Sequence, residues 1–150
     1  MIERLGVQPN DRVLFLSIPD LDTVRAISGI LDQGGAVFLG GRDDVHEMRR
    51  QATDLKNLLF HPGPPDEIAF DDEYFTLIVD LKCDWESPAV VAQELARVLQ
   101  AGGRAILAVE DVGPLLAAGL AAIDAVPPLL AFTRPEKGRP LAPPSLPILD

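Results

Sequence analysis

Apolar residues along the chain form two alternating patterns. Short uninterrupted apolar runs rich in strand-forming residues are followed by longer segments with apolar residues every three or four positions. The runs predict buried β-strands, and the spaced pattern predicts amphipathic α-helices. The predicted strands are residues 12–16, 36–39, 57–60, 75–80, 104–109 and 129–133. The predicted helices begin near residues 20, 43, 87 and 114 and end near residues 34, 55, 101 and 126.

Turn and cap residues separate these elements. The segment 17–20 (SIPD) breaks the first strand, and Asp20 or Asp22 is placed to cap the helix that follows. Residues 61–65 (HPGPP) can form neither a helix nor a central strand, because proline lacks a backbone donor. Ser87-Pro88 is typical of a helix start, and residues 101–103 (AGG) predict its end.

Strands that alternate with helices through short loops predict a mostly parallel sheet with helices on both faces, a three-layer αβα domain. The strands are apolar throughout, as expected when both faces of the sheet are covered. In this architecture ligands bind beyond the carboxyl ends of the strands. The candidate site is therefore formed by residues 17–22, 40–44, 62–65, 80–85 and 110–113.

The charge and the cysteine content restrict the partners and the compartment. A formal net charge of -10 with scattered basic residues argues against nucleic acid and anionic membranes as partners. Cys83 is the only cysteine, which excludes an internal disulfide and fits the cytoplasm. The first residues contain no apolar signal core, and no apolar run reaches membrane-spanning length. We expect a cytoplasmic protein.

Three segments carry a family resemblance: residues 5–16 (LGVQPNDRVLFL), 56–81 (KNLLFHPGPPDEIAFDDEYFTLIVDL) and 92–107 (AQELARVLQAGGRAIL). They resemble the first strand, the third-to-fourth strand passage and the helix-to-fifth-strand passage of class I S-adenosylmethionine-dependent methyltransferases, in the small-molecule-methyltransferase-like branch. The resemblance implies a Rossmann-like methyltransferase fold. For an active enzyme it also implies S-adenosylmethionine as cofactor and a small-molecule substrate.

The chain departs from this family mainly at positions that contact the cofactor. The glycines of the family's first loop correspond to Ser17, Pro19 and Leu21, and the acidic residue of its first strand corresponds to Phe15. The ribose-binding acid after the second strand is replaced by Gly40-Gly41. The family's Gly-Asp and Phe-Asp pairs are replaced by Gly63-Pro64 and Phe75-Thr76. Because the fold-determining positions are kept, the pattern predicts a scaffold that no longer binds S-adenosylmethionine in the usual way.

If the protein is an active methyltransferase, the resemblance implies a rebuilt cofactor site at Ser17, Asp20, Gly41 and Asp43. Asp80 or Asp84 would then be the candidate general base. Each of these residues also has a structural interpretation. Asp20 and Asp43 fit helix N-termini, and Asp80 and Asp84 fit a charged strand end at the surface. Trp85 would be a pocket wall or a cover for the following helix.

Other chemistries find no support in the sequence. The dinucleotide, P-loop and nucleophile-elbow motifs are absent. His46 and His61 lack the partner set of a zinc site, and the acidic residues between 66 and 73 fit no calcium loop, so we expect no bound metal.

The C-terminal part is predicted to be truncated. The family usually ends with a further helix and an antiparallel strand pair, whereas little remains here after residue 126. We therefore expect a methyltransferase-like domain over residues 1–133 and a proline-rich tail over residues 134–150. The tail, with Leu141, Leu146, Ile148 and Leu149 among its prolines, could cover the lost sheet edge on its own subunit or on a neighbour.

These observations favour a methyltransferase-like pseudoenzyme, a non-catalytic binding or assembly protein with no expected cofactor. A homodimer or a protein partner would form through the C-terminal edge and the tail. Two alternatives remain open. One is an active methyltransferase with a rebuilt cofactor site, and the other is a small-molecule sensor that uses the same crevice.

Overall fold

The computed structural model describes residues 5–126 and 129–135, and its elements alternate as the apolar pattern predicts. In chain order they are β1 (Arg12–Phe15), α1 (Leu21–Ile30), β2 (Gly35–Gly40), α2 (Arg42–Gln51), β3 (Leu58–Pro62), β4 (Phe75–Asp80), α3 (Pro88–Val98), β5 (Leu99–Leu107), α4 (Gly113–Ala117), β6 (Ala121–Val126) and β7 (Leu129–Thr133). None of the helices within these described residues is long and apolar enough to cross a membrane.

The strands form one seven-stranded sheet in the order β3-β2-β1-β4-β5-β7-β6. The first five strands in the chain run parallel, and β7 lies antiparallel between β5 and β6. The predicted fold class is confirmed. Strand β3 lies at the sheet edge, which agrees with the prediction that the proline-rich residues 61–65 cannot occupy a central strand.

Successive strand residues point to opposite faces of the sheet and build two cores. On one face, β1 residues Val13 and Phe15 pack with Val24 and Ile27 of α1, and α2 covers the same face. On the other face, Leu14 packs in the core that includes residues of α3 and α4. The sheet is therefore the middle of three layers, as predicted.

The predicted helix over residues 114–126 is wrong in its second half. Helix α4 ends at Ala117, and Ala121–Val126 form strand β6. Gly119 has a φ of +97°, a conformation that ends a helix at little cost only for glycine. Pairing with β7 then determines the conformation of the next segment.

This strand pair also corrects the expected truncation. The antiparallel pair with which the family usually ends is present as β6 and β7, and the predicted strand at residues 129–133 is confirmed. The shortened element is α4, which has only 5 residues. From residue 136 onward, the predicted tail lies outside the described residues.

Three predicted helix ends also move. Helix α1 ends at Ile30, a turn before the predicted residue 34. Helix α2 ends at Gln51, a turn before the predicted residue 55, and α3 ends at Val98 rather than at residues 101–103. The glycines instead form an irregularity within β5, where the partners of β4 jump from Leu99 to Arg104. Gly102 has a φ of +81°. A Cβ atom at Gly103 would lie 2.7 Å from Leu99 Cδ1.

The connection between β3 and β4, residues 63–74, contains no helix and is held by side chains of α3. Glu94 Oε1 accepts a hydrogen bond from the Ile68 backbone N–H at 2.7 Å. Arg97 donates to the carbonyl oxygens of Ile68 at 2.7 Å and Phe70 at 2.9 Å, and pairs with Asp72 at 2.7 Å. We call Glu94 and Arg97 the loop clamp.

Candidate functional site

The order of strands reverses between β1 and β4, and ligands of open α/β sheets bind at such a reversal. The two strands separate just beyond Leu16, whose backbone N–H still donates to Val79 O at 3.1 Å. The loop after β1 then leads to α1 on one face, and the loop after β4 leads to α3 on the other. The crevice between these loops is the candidate site.

Ile18, in the loop after β1, lies against the end of β2. A Cβ atom built on Gly40 would lie 2.8 Å from Ile18 Cδ1 and 3.6 Å from Val45 Cγ2, so the absent side chain of Gly40 makes room for Ile18. Ile18 packs against the core on the α1 face. The space between the first loop and the second strand is therefore filled by an aliphatic side chain.

Phe15, at the position where the family commonly has an acidic residue, lies in the core. It is in register with Phe38 of β2, which is in register with Phe60 of β3. The ring centroids are 4.9 Å and 5.1 Å apart and the rings are stacked. Phe15 is only 2% exposed, so this position contributes packing rather than a polar group to the crevice.

The four predicted cofactor residues lie on the loops that follow the adjacent strands β1 and β2. Ser17 is partly buried, and Asp20 is the exposed N-cap residue of α1, where its carboxylate accepts a hydrogen bond from the Thr23 hydroxyl. Gly41 is the N-cap residue of α2, and Asp43 is exposed in the first turn of that helix. The topology brings both loops to the carboxyl edge of the sheet, as predicted.

Asp80, the first candidate base, is buried, and its carboxylate is hydrogen-bonded to residues of the loop that follows. Its carboxylate accepts hydrogen bonds from the backbone N–H groups of Lys82 at 2.9 Å and Cys83 at 3.1 Å, and from Trp85 Nε1 at 2.7 Å. At 3% exposure it is not a charged strand end at the surface, so that interpretation is wrong for Asp80, whereas Asp84 is exposed. The carboxylate folds the loop after β4 back on the strand.

Cys83 belongs to the same turn and has a φ of +50°. Its thiol donates to the carbonyl oxygen of Asp80 at 3.4 Å. Burial, together with the nearby charge of Asp80, raises the pKa of the Cys83 thiol to about 12. Because the thiolate is the reactive form, this cysteine is not a nucleophile at neutral pH.

A cavity of about 380 Å³ lies at the amino ends of β1 to β3, and another of about 320 Å³ lies at the carboxyl ends of β4 and β5. Trp85 and Pro88 line the second cavity with apolar surface, and Lys82, Glu110 and Asp111 bring charge to it. Trp85 has both predicted roles: it lines this cavity and packs against the core that contains residues of α3. Its indole N–H also donates to Asp80.

Two other replaced positions have structural roles. Thr76 lies at the amino end of β4, where its hydroxyl donates to Asp11 Oδ1 at 2.7 Å and accepts from the Arg12 N–H at 2.9 Å. It is remote from the carboxyl-end crevice, so its interpretation as a lost cofactor contact is wrong. Gly63 donates to Gly40 O at 3.2 Å, which brings the Gly63-Pro64 segment onto the end of β2.

The described residues were also compared with the ligand sets of metal sites. In the parts of the chain that the structure describes, no three His, Cys, Asp or Glu side chains are grouped so that they could hold a metal ion. Of the acidic residues between 66 and 73, Asp72 pairs with Arg97.

No protein-family model matches the sequence, and no curated protein matches it. Solved structures do match. A chain of the complex between the Trm112 methyltransferase activator and a methyltransferase from Haloferax volcanii superposes with a TM-score of 0.77 and 16% identity, over 92% of this chain and 88% of that one. An S-adenosylmethionine-dependent methyltransferase from Aquifex aeolicus superposes with a TM-score of 0.74 and 14% identity, over 87% of this chain and 85% of that one.

The YcgJ protein from Bacillus subtilis gives a TM-score of 0.61 and 22% identity over 71% of this chain. Only 47% of YcgJ is covered, so the chain spans about half the length of that protein. At these identities the similarity defines the fold. The chain has the fold of the class I S-adenosylmethionine-dependent methyltransferases.

Proposed function

We propose that this protein is a non-catalytic binding or assembly protein built on the methyltransferase fold, and that its crevice does not bind S-adenosylmethionine in the usual way. The observation that carries this proposal is the packing of Ile18 over Gly40. In the family that the sequence resembles, glycines of the first loop and an acid after the second strand receive the cofactor. Here an aliphatic side chain fills that space.

The residues present do not fit the cofactor at position 40 or at position 15. An acidic side chain at position 40 would require Ile18 to move, because a Cβ atom there would lie 2.8 Å from Ile18 Cδ1. Phe15 stands where the family commonly has an acidic residue, and its ring stacks on Phe38 in the core. The replacements are therefore integrated into the packing, which supports an alternative use of the scaffold.

The hydrogen bonds around Asp80 also favour a non-catalytic role. A general base needs a lone pair directed at the substrate proton. The Asp80 carboxylate instead accepts three hydrogen bonds from its own loop, and removing it would leave those donors unpaired. If the protein were active, Asp84, which is exposed, would be the freer carboxylate.

The partner would bind at the C-terminal edge of the sheet. Strand β6 is the outermost strand on that side, and Ile123 is 40% exposed on it. An open strand edge offers backbone donors and acceptors to another strand. The similarity to a chain of a complex with a methyltransferase activator supports a protein partner.

A second candidate function is supported by the 320 Å³ cavity at the ends of β4 and β5. Its size falls within the range of small-molecule sites, and Trp85 offers a flat apolar wall. A sensor would place a small ligand there, without any use of the space that Ile18 fills.

Titration calorimetry of the full chain with S-adenosylmethionine and S-adenosylhomocysteine tests the proposal. We expect no binding of either compound by protein whose cooperative thermal transition shows that it is folded. Micromolar binding of either one would refute the non-catalytic proposal and favour an active enzyme. Replacement of Ile18 by glycine in the same assay tests whether this side chain alone blocks the crevice.

A further inference from the structure

A groove of about 380 Å³ lies at the end of the sheet opposite the crevice. It opens over the amino ends of β1, β2 and β3 on the face that α3 covers elsewhere. Leu59 and Tyr74 line it and are 45% and 40% exposed, and Phe70 forms part of its wall. The groove is thus an apolar, aromatic surface that the described residues leave open.

The groove exists because the β3–β4 connection does not form a helix over this part of the sheet. Residues 63–74 cross the face as an irregular loop, and the loop clamp fixes Ile68 and Phe70. The ring centroids of Phe70 and Phe75 are then 5.3 Å apart, while the side chain of Leu59 remains exposed.

We propose that residues 136–150 of the same chain bind in this groove. The segment reads EKGRPLAPPSLPILD and contains prolines at positions 140, 143, 144 and 147. Such a sequence favours an extended polyproline II helix that presents aliphatic side chains outward. Grooves lined by aromatic residues recognise such helices.

The described chain ends close to the groove. Strand β7 runs back to the amino end of the sheet, where Thr133 lies opposite Arg104 at the start of the regular part of β5. Arg134 donates to Leu99 O at 2.7 Å and lies 3.9 Å from the carboxylate of Glu73, the residue before Tyr74. The segment 136–150 therefore starts on the same end of the sheet as the groove.

Its length is sufficient. Four strand spacings separate β7 from β2, or about 19 Å across the sheet. The segment 136–150 spans about 46 Å as a polyproline II helix. It can therefore cross to the groove and still lay its aliphatic residues 141–149 along it.

The polar groups of the groove match this occupant. A polyproline II helix has free carbonyl oxygens, which need donors from the surface that binds it. The groove offers the guanidinium of Arg12, which lies 5.2 Å from the centroid of the Tyr74 ring, and the exposed amide of Gln33.

The edge strand β6 is a poorer site for the same segment. Pairing there requires backbone N–H donors at regular intervals, and proline has none. With Pro140, Pro143, Pro144 and Pro147, the segment cannot form a continuous ladder on β6. A groove that binds side chains and carbonyl oxygens does not require backbone N–H donors from the segment.

Photo-crosslinking of the full-length protein tests the proposal. Tyr74, the only tyrosine, is replaced by photoreactive p-benzoylphenylalanine, and the crosslinked peptides are mapped by mass spectrometry. We expect crosslinks to residues 140–149 within a single chain. Crosslinks to the segment are not expected from the same group at Leu116, which is 49% exposed on α4, or at Ile123 on β6.

Crosslinks that join two chains would identify a second copy as the occupant and overturn the proposal. The absence of crosslinks from position 74 to residues 136–150 would overturn it as well. Crosslinks to the segment from Ile123 instead of Tyr74 would place it on the edge strand and contradict the proposal.

Amide hydrogen exchange gives a second measurement on the full chain. A variant with Leu141→Ser, Leu146→Ser and Ile148→Ser should exchange faster than the unmodified protein at residues 57–60, while β6 and β7 stay unchanged. Equal exchange at residues 57–60 would contradict the proposal. The groove and the crevice lie at opposite ends of the strands, so this inference stands whether or not the crevice binds a cofactor.

Discussion

At the scale of single residues, the contact between Ile18 and Gly40 distinguishes this crevice from that of a methyltransferase. As placed, Ile18 occupies space that a side chain at position 40 would need, since a Cβ atom there would lie 2.8 Å from Ile18 Cδ1. The sequence predicts the loss of cofactor contacts in the first loop and at Gly40-Gly41, but it does not single out Ile18. It does not show that Ile18 and Gly40 touch, since one follows β1 and the other ends β2.

This contact predicts an energetic coupling. Gly40→Ala should lower the free energy of unfolding by about 1–3 kcal/mol, because the new methyl group overlaps Ile18. Ile18→Ala should remove most of that cost when combined with Gly40→Ala, giving a clear coupling energy in a double-mutant cycle. Urea unfolding of the four proteins measures it.

Gly29→Ala is the matched control for this cycle. Gly29 lies in α1, and a Cβ atom there meets nothing within 4 Å. The substitution should therefore be neutral or stabilising, by about 0.5–1 kcal/mol. If the effects of Gly40→Ala and Ile18→Ala were simply additive, the direct contact would be excluded as the cause.

At the scale of elements, local signals predict some boundaries and fail at others. Ser87-Pro88 places the start of α3 correctly, because a cap residue and proline act within one turn. The segment 121–126 has apolar residues that suit a helix or a strand, and pairing with β7 decides between them. Long-range pairing of this kind is not visible in a local apolar pattern.

The loop clamp shows how an irregular connection is stabilised without a helix. The guanidinium of Arg97, through its hydrogen bonds to Glu94, holds the pKa of the Glu94 carboxyl below its ordinary value, although partial burial opposes this. Glu94 and Arg97 are only 20% and 33% exposed, so solvent screens the pair less than it screens a surface pair. The clamp ties the β3–β4 loop to α3.

The lowered pKa of Glu94 predicts a pH-dependent stability. Because the folded-state pKa lies below the unfolded value, the contribution of Glu94 is complete above that unfolded pKa. It is lost as the pH falls through the folded value. Glu94→Gln should lower the free energy of unfolding by about 1.5–3 kcal/mol at pH 7. The difference from the unmodified protein should shrink toward pH 3 in urea titrations.

Glu47→Gln provides the control, since Glu47 pairs with Arg50 on the exposed surface of α2 and such pairs contribute little. It should change the unfolding midpoint only slightly at any of these pH values. A Glu94→Gln effect that stayed constant between pH 7 and pH 3 would mean that packing, and not the ion pair, holds the loop.

At the scale of the whole molecule, the alternation of elements predicts a mostly parallel sheet with a crevice at the carboxyl ends of its strands. It predicts neither the strand order nor strand β6. The state of the crevice depends on side chains that meet from separate loops, such as Phe15 on Phe38 and Trp85 on Asp80. Thr76 shows the converse. The sequence comparison assigns it to the cofactor site, whereas the fold places it at the other end of β4.

Strand β6, the outermost of the described strands on its side of the sheet, predicts how copies of the chain would associate. Two β6 strands related by a twofold axis can pair antiparallel and extend the sheet across a dimer, since an isologous contact uses the same strand twice. A lysine on an edge strand opposes such pairing. We therefore expect a dimer in light scattering for the unmodified protein and a monomer for Ile123→Lys. Leu116→Lys, a matched change on α4, should leave the dimer intact.

A dimer that survives Ile123→Lys would show that the interface does not lie on β6. A monomer in the unmodified protein would contradict the expected dimer.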